Sequence, residues 1–155
     1  MTSSPQPSVT LRFKRLDDRA ILPEYKSALA AGLDLAACLP PGETIVIPPR
    51  EIRMIRCGFA MAIPPGYEGQ VRPRSGLASK FGVTLPNSPG TIDADYRGEM
   101  MVPLINHGQQ PYTVEHGSRV AQLVIAAVAH ARLEEVDSLD DTPRGAGGFG
   151  STGGH

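Results

Sequence analysis

The residues best suited to binding phosphate groups lie at the start of a predicted short helix, residues 76–81. The segment Pro73-Arg74-Ser75-Gly76 leads into this helix, with turn signals on both sides. Free backbone N–H groups at a helix N-terminus, beside a hydroxyl and a guanidinium, attract anions. An ordinary Ser75 N-cap beside a solvated Arg74 is the simpler alternative, and for the segment alone it is the commoner one.

A turn-like segment, residues 87–99, could supply a carboxylate that acts on water. Turn residues at both ends bracket Thr91 and Ile92, which predicts a tight hairpin that presents its backbone edges. Asp93 or Asp95 could be a general base or a metal ligand there, although aspartates in turns more often have a structural role.

Asp34 is a carboxylate within an apolar segment, between Leu33 and Leu35. A carboxylate in such surroundings needs an arginine, backbone N–H groups or a cation as its partner. An arginine is the simplest of these partners, and we expect one.

The glycine-rich segment 142–155 contains groups that could bind an anion and a planar ring. Six of its 14 residues are glycine, and Arg144, Phe149 and Ser151 lie among them. The G-x-G-x-x-G pattern is matched here and the P-loop pattern nearly so, but both need a following helix that is missing. Composition leaves two alternatives, a plain mobile tail or a mobile arm that binds a ligand.

Short strands are the elements predicted to position these residues. The chain has 155 residues with 17 Gly and 15 Pro, which argues against a helical bundle and predicts an all-β sandwich or barrel with one short helix. Only eight residues are aromatic, so we predict an aliphatic core. Residues 119–136 fit a helix or a strand equally well by period. Predicted strands are residues 9–13, 44–47, 52–63, 67–72, 100–105 and 112–114.

Composition and charge exclude several classes of function. With a net charge of −1, the chain lacks the excess of positive charge that nonspecific nucleic-acid binding requires. Cys38 and Cys57 are too few for a disulfide framework and predict reduced core thiols. No apolar run is long enough to cross a bilayer, and residues 1–8 lack the features of a signal peptide. We therefore expect a cytoplasmic protein with no membrane or nucleic-acid partner.

Five segments in order along the chain closely resemble the motifs of the homotrimeric dUTP diphosphatase (dUTPase) family. Together they span residues 31–153, and their shared order is far more specific than any single motif. The segments are Ala31-Gly32-Leu33-Asp34-Leu35, Pro73-Arg74-Ser75-Gly76-Leu77-Ala78, residues 87–99, Gly117-Ser118-Arg119-Val120-Ala121-Gln122 and residues 144–153.

The resemblance implies a distorted jelly-roll-like β fold, with three chains around a threefold axis and active sites shared between subunits. It makes residues 119–128 a strand. It divides the chain into a flexible lead-in (1–8), a single β domain (9–141) and a mobile C-terminal arm (142–155). The implied reaction is hydrolysis of dUTP to dUMP and pyrophosphate, with Mg²⁺ bound to the triphosphate.

The resemblance also implies a role for each motif residue. Asp93 would orient and deprotonate the water that attacks the α-phosphorus, and Asp34 would hold Mg²⁺ through water. Tyr96 would pack on the deoxyribose, where a 2′-hydroxyl would clash. The other substrate-binding residues would be Arg74, Ser75, Gly76 and Gln122 for the phosphates, Asn87, Thr91, Ile92, Asp93 and Met101 for uracil, and Arg144, Phe149, Gly150 and Ser151 for the closing arm.

One residue departs from the family pattern. The family usually has Gly-Asp-Arg where this chain has Gly117-Ser118-Arg119, so the partner of Arg119 is open. Two other functions on the same fold remain alternatives: a dCTP deaminase-like enzyme and a non-catalytic nucleotide-binding module. Asp93 and the sequence around it favour the diphosphatase.

Overall fold

The computed structural model describes residues 8–148, which form twelve β-strands and one short helix. The all-β prediction with a single short helix is confirmed. The elements are β1 Arg12–Arg15, β2 Glu24–Tyr25, β3 Leu33–Ala36, β4 Thr44–Ile47, β5 Ile52–Arg56, β6 Phe59–Ala62, β7 Tyr67–Arg72, α1 Ser75–Phe81, β8 Val83–Thr84, β9 Gly90–Ile92, β10 Met101–Asn106, β11 Tyr112–Glu115 and β12 Arg119–Ala127.

The strands form antiparallel sheets around one core. The largest sheet has five strands in the order β2-β3-β12-β7-β9, and a three-stranded sheet has the order β5-β10-β8. The pairs β1-β6 and β11-β4 complete the described fold. Because neighbours in the large sheet are distant in sequence, this sheet brings together segments from most of the chain.

Outside residues 87–99, three predicted elements differ from the structure by more than one residue. The first strand begins at Arg12 rather than at residue 9, and residues 52–63 form two strands instead of one. The break falls at Gly58, whose φ of +74° and close contact with Cys38 leave no room for a side chain. Residues 119–127 are strand β12, so the strand implied by the family resemblance is confirmed and the helical alternative is wrong there; residues 128–148 contain no helix or strand.

The core is aliphatic, as predicted. Phe59 is the one fully buried aromatic side chain among the described residues, and it stacks on Phe13 with ring centroids 4.8 Å apart. Cys38 and Cys57 are free and buried, and burial raises the pKa of the Cys57 thiol to about 12. The helix α1 has seven residues, and no helix within residues 8–148 could cross a membrane.

Asn106 is a fully buried polar side chain that fixes the loop after β10. Its amide nitrogen donates to the carbonyl oxygens of Ile47 (2.9 Å) and Gln110 (2.8 Å). Its Oδ1 accepts from the Gly108 N–H at 2.8 Å. Every polar atom of this side chain therefore has a partner, although no pattern in the sequence marks the residue.

We expect Asn106→Ala to lower the free energy of unfolding by about 3 kcal/mol, because it removes one buried and two partly buried hydrogen bonds to the backbone. Urea denaturation measures this loss. The exposed Gln109 provides the control, since Gln109→Ala should change stability by less than about 0.5 kcal/mol. Equal stability of the two variants would contradict the anchoring role of Asn106.

Candidate active site

The five-stranded sheet aligns residues from two of the sequence segments in one row with Arg72, which directly precedes a third segment. Asp34 on β3 pairs with Gln122 on β12, and Gln122 pairs with Arg72 at the end of β7. Directly paired residues of adjacent strands point to the same face of a sheet. The row therefore places a carboxylate, an amide and a guanidinium side by side, next to the Pro73-Arg74 segment that follows β7.

Asp34 has an arginine partner, as predicted. Its Oδ2 accepts from Arg119 Nη1 at 3.0 Å, and its Oδ1 is 3.3 Å from Gln122 Nε2. The Asp34 side chain is only 6% exposed, so removal of Arg119 would leave a nearly buried charge uncompensated. The carboxylate thus orients both Arg119 and Gln122.

The polar groups at the first turn of α1 are accessible to a ligand. Arg74 occupies the N-cap position without a side-chain cap, and its guanidinium donates to the Arg119 carbonyl oxygen at 2.9 Å. Ser75 is the first helical residue rather than the N-cap, so the simple capping alternative is wrong. Ser75 and Gly76 are exposed, and a side chain at Gly76 would meet no atom within 4 Å.

The segment 87–99 does not form the predicted hairpin. Strand β9 pairs with β7, whereas the following strand, β10, pairs with β5 and β8. The chain therefore crosses between two sheets through residues 93–100. Thr91 is exposed on β9, and the Asn87 amide lies beside Gly90, where a Cβ would come within 3.4 Å of Nδ2.

Asp93 and Tyr96 lie in the crossing loop. Asp93 is exposed directly after β9, and its carbonyl oxygen accepts from the Tyr96 N–H at 3.1 Å. No hydrogen bond or ion pair to the Asp93 carboxylate is found within residues 8–148. Tyr96 is 44% exposed, and its hydroxyl donates to the Glu99 carbonyl oxygen at 3.0 Å. Both side chains are thus available to a ligand.

The sheet register separates the β9 residues from the row around Gln122. Ile92 pairs with Gly69, whereas Gln122 pairs with Arg72, three residues further along β7. Three residues of strand span about 10 Å, and Asp93 lies beyond Ile92. One chain therefore presents two separate groups of predicted site residues on the same sheet.

Comparison with known proteins identifies the family. The family model described as dUTPase matches residues 18–153. The deoxyuridine 5′-triphosphate nucleotidohydrolase of Syntrophotalea carbinolica is 57% identical over 146 residues, covering 94% of this chain and 98% of the relative. The Maricaulis maris protein of the same name is 53% identical, with 94% and 97% covered. The chain belongs to the dUTPase family.

Solved structures agree with the family assignment. The dUTPase of Staphylococcus bacteriophage 80alpha, in complex with dUpNHpp, has a TM-score of 0.83 at 30% identity and covers 93% of this chain and 98% of its own. A mutant dUTPase of Staphylococcus aureus phage phi11, described with a structural Mg(II) ion, has a TM-score of 0.74 at 27% identity, with 83% and 97% covered. The jelly-roll-like β fold expected from the sequence is confirmed.

Ser118, which replaces the usual aspartate of the dUTPase family, closes the turn between β11 and β12. Its Oγ accepts from the Glu115 N–H at 3.1 Å, and its own N–H donates to the Glu115 carbonyl oxygen at 3.1 Å. A serine hydroxyl can cap a turn much as a carboxylate does. Arg119 keeps a partner because Asp34 provides the carboxylate.

The donors of this chain fit Mg²⁺ held through water better than Mg²⁺ bound directly. No group of three or more His, Cys, Asp or Glu side chains able to hold a metal is found in residues 8–148. Both Asp34 oxygens already face donors from Arg119 and Gln122. Mg²⁺ dehydrates reluctantly and commonly binds substrate phosphates plus one or two carboxylates. The donor set therefore suits Mg²⁺ that arrives on a triphosphate.

Two polar residues near the Pro73-Arg74 segment lack an individual signal in the sequence. Arg72 donates to Gln70 Oε1 at 2.6 Å on the same face as Gln122. Tyr112 packs against Phe81, and burial raises the pKa of its phenol while the charge of nearby Arg74 opposes that shift. Only the alternation of polar and apolar residues along β7 could have indicated Arg72.

Within residues 142–148, the described part of the C-terminal segment, the hydrogen bonds found join residues of the segment itself. Arg144 is exposed, and its Nε donates to the Gly147 carbonyl oxygen at 2.9 Å. Phe149, Gly150 and Ser151 lie outside the described residues, as do residues 1–7 of the lead-in. Met101 is partly buried at the start of β10. The binding roles of Arg144, Phe149, Gly150, Ser151 and Met101 remain predictions.

Proposed function

We propose that this member of the dUTPase family carries out its reaction, hydrolysis of dUTP to dUMP, by attack of water on the α-phosphorus with Asp93 as the base. Pyrophosphate is then the second product. The observation that supports Asp93 is its position: an exposed carboxylate at the end of β9, with its backbone fixed by the turn to Tyr96. A positioned carboxylate accepts a proton from water as the nucleophile forms.

The phosphate chain would bind to the row of polar groups around Gln122 and the first turn of α1. Arg74 and Arg119 supply positive charge there, and Ser75 with the exposed backbone at Gly76 supplies hydrogen-bond donors. The ion pair with Asp34 fixes Arg119 before substrate arrives, which lowers the entropic cost of binding. Mg²⁺ on the triphosphate would neutralise charge on the phosphates.

The uracil would meet the backbone edge around β9, with Asn87 and Met101 nearby in the family pattern. Fixed backbone donors and acceptors discriminate strongly among bases, because a mismatched base leaves buried polar groups unpaired. The phage 80alpha relative binds dUpNHpp, which supports a deoxyuridine triphosphate in this position. Tyr96 would lie against the deoxyribose.

A homotrimer with shared active sites would combine the two separated groups of residues. Residues 127–146 are all exposed in the single chain, and Leu133 is 94% exposed. Ile52 and Met54 on β5 are about half exposed, and a groove of about 910 Å³ between the N-terminal segment and β12 is lined mainly by apolar side chains. Exposed apolar side chains and an apolar groove are typical of surfaces that contact other chains, and the proposed trimer would cover them.

A cytoplasmic location is part of the proposal. The two free, buried cysteines suit a reducing compartment, where thiols persist.

Purified protein should release pyrophosphate from dUTP in the presence of Mg²⁺, and addition of EDTA should reduce the rate strongly. Pyrophosphate release and ammonia release are measured in parallel for dUTP and dCTP. The deaminase alternative is not favoured, so no ammonia is expected from dCTP. Ammonia from dCTP, or tight dUTP binding without turnover, would overturn the proposed mechanism in favour of one of the alternatives.

A further inference from the structure

The ring of Tyr96 is held in place by its own loop. A Cβ built on Gly98 would lie 2.5 Å from Tyr96 Cζ and 2.9 Å from Cε2, so the ring lies directly against the Gly98 backbone. The Tyr96 hydroxyl donates to the Glu99 carbonyl oxygen at 3.0 Å. One face of the ring is therefore fixed, and the ring remains 44% exposed.

The Glu99 side chain fixes the end of this loop to a second sheet. Arg56 Nε donates to both carboxylate oxygens of Glu99, at 3.0 and 3.1 Å, and the Gly58 N–H donates to Oε1 at 3.0 Å. The Glu99 side chain is 21% exposed. A carboxylate with three charge-assisted or backbone contacts is a strong anchor compared with an ordinary surface ion pair.

Arg97 closes the loop from the other side. Its Nη1 donates to the carbonyl oxygens of Ala94 (2.6 Å) and Tyr96 (2.8 Å). The backbone on both sides of the Tyr96 ring is thus held before any ligand binds.

We propose that the Arg56–Glu99 ion pair, together with Gly98, positions the Tyr96 ring and so sets the selectivity of the site for a 2′-deoxyribose over a ribose. This inference rests on the proposed function, in which Tyr96 packs against the sugar. Arg56 and Glu99 are positioning residues, because they act through Tyr96 and need not touch the nucleotide. A ring displaced by about 1 Å makes room for a 2′-hydroxyl, and displacements of that size alter rates strongly.

Selectivity is measured as the ratio of kcat/KM for dUTP to kcat/KM for UTP. We expect Arg56→Met to lower this ratio about tenfold, mainly through faster UTP hydrolysis, with kcat for dUTP changed less than about threefold. Arg53→Met is the matched control. Arg53 lies on the same strand and pairs with Glu51, so its loss should leave the ratio unchanged.

Two further variants test the same ring if Arg56→Met fails to fold. Glu99→Gln keeps the shape of the side chain but removes the charge, and should lower the ratio in the same direction. Gly98→Ala places a methyl group against the ring, and should lower the ratio in the wild-type background but not in a Tyr96→Ala background. Non-additivity of this kind marks residues that act as one unit.

Unchanged selectivity in Arg56→Met, Glu99→Gln and Gly98→Ala, with normal dUTP hydrolysis, overturns this inference and leaves the proposed function intact. An equal loss of selectivity in Arg53→Met also overturns it, because the effect would then be a general consequence of altering β5. Failure of the wild-type protein to hydrolyse dUTP overturns the proposed function and this inference together.

Discussion

Replacing Asp93 with asparagine is expected to lower kcat for dUTP by about 10³-fold, while dUTP binding changes little. Asparagine has nearly the same shape, but its amide cannot accept the proton that water loses as it attacks phosphorus. Loss of a general base typically costs 10²- to 10⁴-fold in rate. Because Asp93 is exposed and its carboxylate has no described partner, the substitution should not destabilise the fold.

Asp95→Asn is the control for this variant. Asp95 is an exposed aspartate two residues further along the same turn, so it reports the effect of losing one negative charge from the loop. We expect its kcat to remain within about threefold of the wild-type value, since a charge at the surface is largely screened. Single-turnover kinetics and calorimetry with a non-hydrolysable dUTP analogue separate chemistry from binding in both variants. Full activity in Asp93→Asn would show that another group is the base.

The sequence predicts the strands best where local chemistry determines them. Strands β4 and β7 have the predicted limits, because Pro-Pro and Pro-Gly pairs end the neighbouring segments. The helix α1 begins one residue before its predicted start. These elements depend on short-range signals.

The errors concern features that depend on long-range contacts. Residues 87–99 have the turn residues of a hairpin, but β9 finds a better partner in β7, which is nearly 20 residues earlier. The period of residues 119–127 leaves a helix and a strand equally open, and pairing with both β3 and β7 makes this segment a central strand, as the family resemblance implies. In both cases the pairing of strands that are distant in sequence, and not the local sequence pattern, determines the structure.

The candidate site likewise contains residues that the sequence marks and residues that only the tertiary structure reveals. Asp34 is recognisable in the sequence, because an isolated carboxylate among leucines needs a partner. Its partner, Arg119, lies 85 residues away along the chain. Arg56 has no signal in the sequence, and Glu99 is marked only as the last residue of the segment 87–99, since the two become an anchor only when β5 and the loop before β10 meet. Sequence reasoning therefore finds residues whose type is unusual for their surroundings, and misses those whose importance comes only from a contact.

Truncation after Asp141 is expected to leave a folded trimer whose kcat for dUTP is about 10²-fold lower. Residues 142–146 are exposed, and among residues 8–148 the Arg144 side chain bonds only to Gly147 in its own segment, so their loss should not change the free energy of unfolding of the β domain. A closing arm would contribute by excluding water and fixing the reactive conformer of the triphosphate. Steady-state kinetics, thermal unfolding and light scattering test activity, stability and assembly separately.

Truncation after Gly148 and the single variant Arg144→Met separate the contributions of different parts of the arm to kcat. The shorter truncation removes Phe149 and Ser151 but keeps Arg144, whereas the substitution removes only the guanidinium. If the arm closes over bound nucleotide, both variants should lower kcat more than they raise KM, because contacts made only in the closed state stabilise the transition state selectively. Unchanged kinetics after truncation at Asp141 would make the segment a plain tail, and a loss of trimer would assign it to assembly instead.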